Sequence, residues 1–168
     1  MARKPSRMYR AVRGQAYTRK EYMGGIPNSR ISQFILGNKT ASFPVTISLM
    51  VKEQCQIRHT ALEAARITLN RTMEKRVGQA NYRIRIRVYP HMVLRENKQA
   101  TGAGADRVSQ GMRSSFGKIV SLAARVNKNQ IIIDVETTEK NIPHAKIAMR
   151  KAGMKLPSPC YVSVNESS

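Results

Sequence analysis

The sequence has little of several residue types, and each shortage excludes a class of protein. It contains no tryptophan, six tyrosines and three phenylalanines, so aromatic stacking is not expected to dominate any binding surface. Its only cysteines, Cys55 and Cys160, are too few for a disulfide-rich secreted domain and fit a reducing compartment. No run approaches ~20 apolar residues, and the first residues lack the apolar core of a signal peptide, so no membrane partner is expected.

Acidic residues are also scarce, and the resulting charge is the dominant property of the chain. Thirty lysine and arginine residues stand against ten aspartate and glutamate residues, which gives a formal net charge of +20 over 168 residues. Self-repulsion at this charge opposes compaction, so a polyanionic partner is expected. Nucleic acid fits best, because each neutralised phosphate releases counterions and strengthens binding. The hydrophobic fraction of 41% is high enough for a folded domain with a core.

The sequence offers no convincing catalytic or metal-binding motif. One glycine pair resembles a phosphate-binding loop, but five residues separate Gly111 from Gly117, and Ile119 stands where a magnesium-binding Ser or Thr is required. The three histidines are scattered, and with two cysteines they match no zinc spacing. His59 is interpreted as a surface or capping histidine. We therefore expect no enzyme activity, no metal site and no cofactor.

Residues 1–30 form a basic extension. One interpretation is a solvated, disordered end. The other is an extended arm that orders on RNA, with arginines on phosphates and the interleaved tyrosines against sugars or bases. The extension has a single acidic residue, Glu21, and the candidate RNA-binding residues are Arg3, Lys4, Arg7, Arg10, Arg13, Arg19, Lys20 and Arg30.

Residues 31–168 are predicted to form one α+β domain, a mainly antiparallel sheet with two packed helices. One helix is predicted to begin at a capping box formed by Thr60 and Glu63 and to end at Gly78. The second is predicted to be capped by Asn141 and to end at Gly153. Strands are predicted from apolar alternation at 31–36, 45–51, 82–88, 118–126, 130–136 and 161–164, the segments 118–126 and 130–136 forming a hairpin.

The segment 82–88 has the clearest alternation in the chain. Its apolar residues point one way, while Arg83, Arg85 and Arg87 point the other way, ~7 Å apart at strand rise. Guanidinium groups in such a row suit bidentate recognition of phosphates. The alternative is charge that prevents aggregation on a solvent-facing surface. We favour phosphate recognition, because lysine would serve the alternative equally well.

The segment 95–117 is a long, glycine-rich insertion between the strand candidates 82–89 and 118–126. It has no helical or strand period, and a loop of this length is usually functional or disordered. We interpret it as a basic loop that is directed toward a partner. The two strands are expected to pair with each other and to hold the base of the loop. Its small residues allow flexing or a close approach of the backbone to RNA.

Short motifs spread over nearly the whole chain add a further signal. They include GAGADR at 102–107, GMR at 111–113, FGK at 116–118 and ARV at 124–126, with RKPSR at 3–7, ALEAAR at 61–66, IRIRV at 84–88, AMR at 148–150 and KLP at 155–157. Together they resemble the universal large-subunit ribosomal protein family sixteen, in the archaeal and eukaryotic branch known as L-ten-e. The short segment after the last predicted strand favours an archaeal member.

The resemblance implies an α/β hammerhead-like fold and a structural role in the large subunit of the cytoplasmic ribosome. It implies binding to large-subunit rRNA near the A-site tRNA and the peptidyl transferase centre, and support for tRNA positioning in translation. The extension and the arginines of 82–88 are then rRNA-binding candidates. The loop 95–117 is the part nearest tRNA, and its named residues are Gly102, Gly104, Arg107, Gly111, Met112, Arg113 and Lys118.

The partners implied are large-subunit rRNA, A-site tRNA and neighbouring ribosomal proteins, and neither a membrane nor a second copy of the chain. An alternative function is a ribosome assembly factor or an rRNA-modifying enzyme, which would need a cofactor pocket or a catalytic pair. A DNA-compacting protein is a third interpretation, and it lacks a recognisable groove-reading helix.

Overall fold

Two antiparallel sheets and two α-helices make up the regular structure of the described residues, which confirms the predicted α+β class. The computed structural model describes residues 4–97, 112 and 116–166. The strands are β1 (Ile35–Gly37), β2 (Val45–Val51), β3 (Cys55–Arg58), β4 (Tyr82–Ile86), β5 (Met92–Glu96), β6 (Lys118–Val126), β7 (Ile131–Thr137) and β8 (Cys160–Glu166). The helices are α1 (His59–Val77) and α2 (Ile142–Gly153), with short 3-10 turns at Ser6–Tyr9, Lys20–Tyr22, Gln79–Asn81 and Glu139–Asn141.

The larger sheet has five strands in the order β1-β4-β7-β2-β8. Its inner face follows the alternation predicted from the sequence, because Ile47 and Leu49 of β2 and Ile84 of β4 are all buried against the helices. Strand β1 is shorter than the predicted strand 31–36, since its pairing with β4 begins only at Ile35. Buried apolar side chains on alternate positions therefore fix which face of each strand remains available for polar contacts.

The smaller sheet has three strands in the order β3-β6-β5, and two of them, β3 and β5, were not predicted. Because β6 pairs with β3 and β5 only, the predicted hairpin of 118–126 with 130–136 is wrong, and so is the predicted pairing of 82–89 with 118–126. The chain does turn at 127–129, where Asn129 has a φ of 62°, as the asparagines predicted. Strand β7 then enters the other sheet between β2 and β4, where Ile133 and Val135 are completely buried.

The two helices pack on each other and cover the inner face of the larger sheet. The apolar residues Leu62, Ala65, Leu69 and Met73 of α1, which recur at three- and four-residue steps, are buried, but the predicted capping box is wrong. The N-cap is Arg58, two residues before the predicted Thr60, and it makes no side-chain cap. The carboxylate of Glu63 instead accepts hydrogen bonds from Ser32 and Arg66. The Glu63 carboxylate, which a capping box requires, is therefore bound by the charged Arg66 side chain instead.

Helix α2 begins as predicted after Asn141 and has a proline in its first turn, but the Asn141 side chain donates to Thr138 rather than capping the helix. Gly78 ends α1 at a φ of 83°, a left-handed conformation that favours glycine. The division of the chain into an extension at 1–30 and one domain at 31–168 stays a prediction. Residues 98–111 and 113–115 of the predicted loop 95–117 lie outside the described residues.

Candidate nucleic-acid interface

The arginine row of β4 lies where the alternation predicted. Arg83 and Arg85 project from the outer face of β4, and Arg87 continues the row beyond the last residue of the strand. Their neighbours Ile84 and Ile86 are buried on the opposite face, which fixes the direction of the arginines. The side chain of Arg87 is 48% exposed and that of Arg83 is 22% exposed, so the row becomes more accessible toward Arg87.

Carboxylates on the neighbouring strand β7 bind two of these arginines. Arg83 faces Glu136 in the antiparallel register and forms an ion pair with it. The Nε of Arg87 lies 3.6 Å from Oδ2 of Asp134, while Oδ1 of the same aspartate accepts a 2.7 Å hydrogen bond from Ser48. The row is therefore partly neutralised from within the protein, which the sequence pattern of β4 alone did not indicate.

Arg85 is the exception in the row. It lies opposite Asp134 in the register, yet Asp134 is engaged by its other two neighbours. Among the described residues the Arg85 guanidinium has no hydrogen-bond or ion-pair partner, and its Nε is buried without one. On the other side it borders β1, where the facing residue, Ile35, is 40% exposed. The Nε of Arg83 is likewise buried without a partner, so what sets Arg85 apart is the absence of an ion pair, which leaves its terminal nitrogens available to an anionic ligand.

The described part of the extension lies along the smaller sheet. The Arg10 Nε donates to the Pro157 carbonyl at 2.6 Å, and the Val93 amide at the edge strand β5 donates to the Tyr17 carbonyl at 3.1 Å. At the far end, the amide of Arg30 donates to Nδ1 of His59 at 3.3 Å. These contacts favour an ordered arm over a solvated end, and we refer to residues 4–30 as the arm.

Three arginines, one from each strand of the smaller sheet, bind the arm. The guanidinium of Arg58 on β3 lies 4.5 Å from the ring centre of Tyr9, and that of Arg95 on β5 lies 4.3 Å from the ring of Tyr17. Arg125 on β6 donates to the Gly14 carbonyl at 2.9 Å. We call Arg58, Arg95 and Arg125 the arm clamp. Tyr9 and Tyr17 were predicted to contact sugars or bases, but each has an arginine of the protein on its ring.

The arm clamp was missed by the sequence analysis. Strands β3 and β5 were not predicted, so nothing indicated that Arg58 and Arg95 share a sheet with Arg125. The one feature of the sequence that pointed to these arginines is that Arg58 and Arg125 each directly follow an apolar residue. If that apolar residue faces the core, the arginine lies on the other face of the strand.

The arm cations divide into engaged and free groups. Lys4 lies 3.7 Å from Glu96, and Arg10 binds Pro157. The exposed members without an ion pair to any described residue are Arg7, Arg13, Arg19 and Arg30. Of the remaining two candidates, Arg3 lies outside the described residues, and the side chain of Lys20 lies outside the described part of the structure.

The base of the predicted loop is formed by β5 and β6. Arg95 and Glu96, predicted as loop residues, belong to β5, and Lys118 faces Glu96 as the first residue of β6. The Arg95 guanidinium lies 3.4 Å from the centre of the Phe116 ring. Gly117 has a φ of 79°, and a Cβ there would lie 2.7 Å from the Glu96 carbonyl carbon, so this position requires glycine.

Of the residues predicted to lie nearest tRNA, the structure describes Met112 and Lys118. Met112 is 83% exposed, and Lys118 is exposed as well. The predicted residues Gly102, Gly104, Arg107, Gly111 and Arg113 lie outside the described residues.

Two titratable groups connect the arm region to α1. His59 is buried rather than on the surface, which corrects the interpretation above, and burial together with Arg30 and Arg58 lowers its pKa. The hydrogen bond from Arg66 is the main reason that the pKa of Glu63 is lowered. At neutral pH the ionised Glu63 therefore stabilises its contacts with Ser32 and Arg66, whereas His59 is neutral and accepts the hydrogen bond from the Arg30 amide.

The described residues contain neither a cluster of metal-ligating side chains nor a helix that could span a membrane. Within residues 4–97, 112 and 116–166, no three His, Cys, Asp or Glu side chains lie together as a metal site would require. In the same part of the chain, neither helix combines the length and the hydropathy needed to cross a membrane.

Comparison with known proteins gives one consistent result. A family model described as ribosomal protein L16p/L10e matches residues 12–163. The large ribosomal subunit protein uL16 of Methanosphaerula palustris is 61% identical over 164 residues, covering 98% of this chain and 95% of that protein. The proteins of the same name from Methanocella arvoryzae and Thermoplasma volcanium are 56% and 50% identical over 168 and 166 residues, covering 100% and 99% of this chain and 98% and 94% of the relatives.

Proposed function

Because the chain belongs to the ribosomal protein L16p/L10e family, we propose that it binds large-subunit rRNA beside the A-site tRNA and supports tRNA positioning. Family membership makes the chain a structural protein of the large subunit of the cytoplasmic ribosome, with archaeal relatives. It also confirms the prediction that the chain is not an enzyme.

The arm is proposed to supply most of the sequence-independent affinity for rRNA. Its exposed arginines, Arg7, Arg13, Arg19 and Arg30, have no ion pair to the described residues, so each is available to neutralise a phosphate. The arm clamp reduces the conformational freedom of the arm before binding. Less ordering entropy is then lost when RNA is bound, which strengthens the complex.

Arg85 is proposed as the phosphate-binding residue of the β4 row. Arg83 and Arg87 are oriented by Glu136 and Asp134, and Arg85 lies between them without a carboxylate of its own. A phosphate at this point would accept the hydrogen bonds that Arg85 does not make within the protein. This unpaired cation in the middle of an ordered row is the observation that carries the proposal of an RNA-binding surface.

The loop is proposed to lie closest to tRNA and to the peptidyl transferase centre. Its base is held by the contact of Arg95 with Phe116 and by the close approach of Gly117 to the Glu96 backbone. A base held in this way would direct the loop without adding bulk affinity. Met112 and Lys118, which are exposed, are therefore proposed as tRNA-proximal, together with the loop residues outside the described part.

The proposal is tested by measuring how much of the chain remains on purified large subunits. The expected result is about one copy per mature subunit after a wash at moderate salt, with protection of a defined rRNA region from chemical probes. A chain found only on precursor particles would overturn the proposal in favour of an assembly factor. A chain recovered only in the soluble fraction would contradict both functions.

A further inference from the structure

The described strands present four sheet edges, and three of them are blunted against further pairing. Strand β1 has only three residues, and β3 has four. Strand β5 has a register irregularity between Leu94 and Arg95, and its edge amide at Val93 already donates to the arm. Short, irregular or covered edges are the usual protection against the addition of a foreign strand.

The fourth edge, β8, has none of these protections. It has seven residues and pairs with β2 in a continuous register from Val45↔Glu166 to Val51↔Cys160. It is the last strand in the order of its sheet and is paired on one side only within the described residues. It contains no proline, no lysine and no arginine, although the chain is strongly basic. A long, regular edge whose one charged residue, Glu166, lies at its end is suited to pairing with another chain.

A cleft lies beside this edge, between β8 and α2, with a volume of about 680 Å³. Its floor is apolar and includes Leu49, Met149 and Val162. Met154 lines it as well and is 71% exposed, so it adds to the apolar surface that the cleft offers. The cleft is therefore suited to apolar side chains projecting from a strand added to β8.

The rim of the cleft is basic. Lys146 and Arg150 of α2 line it, are exposed and have no ion pair to any described residue. Their charges select an acidic occupant. RNA is acidic but has no peptide groups to pair with a strand edge and no need of an apolar floor. A second copy of this chain carries +20 itself and would be repelled.

We propose that β8 and the adjoining cleft are a docking site for an extended, acidic segment of a neighbouring large-subunit protein. The segment adds to β8 as a sixth strand, its apolar side chains enter the cleft, and its carboxylates meet Lys146 and Arg150. The identity of the partner as a large-subunit protein rests on the proposed function. The docking surface itself rests only on the geometry of this chain.

The experiment titrates the full isotopically labelled chain with the blocked seven-residue peptide Glu-Thr-Val-Thr-Val-Thr-Glu and follows the amide NMR signals. Its valines and glutamates occupy alternate positions, so that all of them project from the same face of an added strand. The expected result is saturable shifts at β8 and on the cleft face of α2. The double variant Lys146→Glu, Arg150→Glu should weaken binding about tenfold. The control Lys151→Glu reverses an exposed charge of the same helix outside the cleft and should leave binding unchanged.

Four results would overturn the proposal. The first is the absence of shifts at β8, and the second is equal binding by a peptide with lysine in place of glutamate. The third is displacement of the acidic peptide from β8 by a short single-stranded RNA, which would make the cleft a nucleic-acid surface. The fourth is concentration-dependent shifts at β8 without peptide, which would identify a second copy as the occupant. The titration contains no ribosome, so its failure would leave the proposed rRNA-binding function untouched.

Discussion

Replacing Arg85 with alanine is expected to weaken rRNA binding while leaving the fold intact. Within the described residues its guanidinium has no carboxylate or carbonyl partner, so the substitution breaks no ion pair of the folded chain. The free energy of unfolding should therefore fall by less than about 1 kcal/mol. Loss of one phosphate contact should weaken binding about tenfold and reduce the slope of log affinity against log salt by about 1.

Arg83→Ala is the matched comparison, because it removes the same side chain two residues earlier on the same face of β4. Its partner Glu136 has a side chain that is only 13% exposed and would be left without a counter-ion. We expect the free energy of unfolding to fall by about 1–2 kcal/mol, with a smaller effect on RNA affinity than Arg85→Ala. Lys52→Ala, in an exposed turn, controls for the loss of one positive charge.

The two effects are separated by two assays on the same proteins. Denaturant unfolding gives stability, and titration of a large-subunit rRNA fragment over a range of salt concentrations gives affinity and salt slope. The reasoning is refuted if Arg85→Ala unfolds as easily as Arg83→Ala, or if its salt slope equals that of the unmodified chain.

Three further predictions follow from the contacts of the arm, α1 and the loop base. Glu63→Gln should lower the free energy of unfolding by about 1 kcal/mol at pH 7 and by little at pH 3. The reason is that the lowered pKa of Glu63 adds stability above the ordinary carboxyl pKa, and this stability is lost as the pH falls. Denaturant titrations at both pH values measure the difference in the free energy of unfolding. The double variant Arg58→Ala, Arg125→Ala should release the arm. Hydrogen exchange at the Val93 amide should then become faster, while the amides of β2 and β7 stay protected. Unchanged exchange at Val93 would contradict the arm clamp. Gly117→Ala should destabilise the chain by more than about 2 kcal/mol, because its Cβ would meet the Glu96 backbone. Gly78→Ala has a similar φ of 83° but no close contact at its Cβ, so it should cost about 1 kcal/mol. Equal thermal unfolding of the two variants would contradict the packing of Gly117 on the Glu96 backbone.

Much of the fold could be predicted because burial leaves a periodic trace in the sequence. In β2 and β4 every second residue is apolar and buried, so strand position and facing were predicted correctly. The capping-box pattern and the glycine that ends α1 gave the length of that helix to within two residues. These are local signals, and each depends on the contacts of a single element with the core.

Strand pairing could not be predicted in the same way, because it is decided by contacts between distant residues. The turn at 127–129 is chemically suited to a hairpin, yet β6 and β7 belong to different sheets. Strand β3 has only four residues between β2 and α1, too few for its alternation to stand out. Once β3 and β5 were missed, β6 had no correct partner available in the predicted sheet.

The candidate site was predicted in part for the same reason. The basic character of the arm and the facing of the β4 arginines were readable from composition and alternation. Whether an arginine is free depends on the register, which places Glu136 opposite Arg83 and engages Asp134 with Arg87 and Ser48. The arm clamp likewise exists only because three strands from distant parts of the sequence share one sheet face.

The most direct test of the central claim is a photo-crosslink from the loop. A benzophenone amino acid in place of Met112, which is 83% exposed, would be carried by the chain into large subunits with tRNA in the A site. The same group in place of Met154, which is 71% exposed and directly follows α2, is the control. Position 112 is predicted to crosslink to A-site tRNA and to rRNA of the peptidyl transferase centre, and position 154 to neither. Crosslinks from position 112 that map only to distant rRNA or to other proteins would contradict the account.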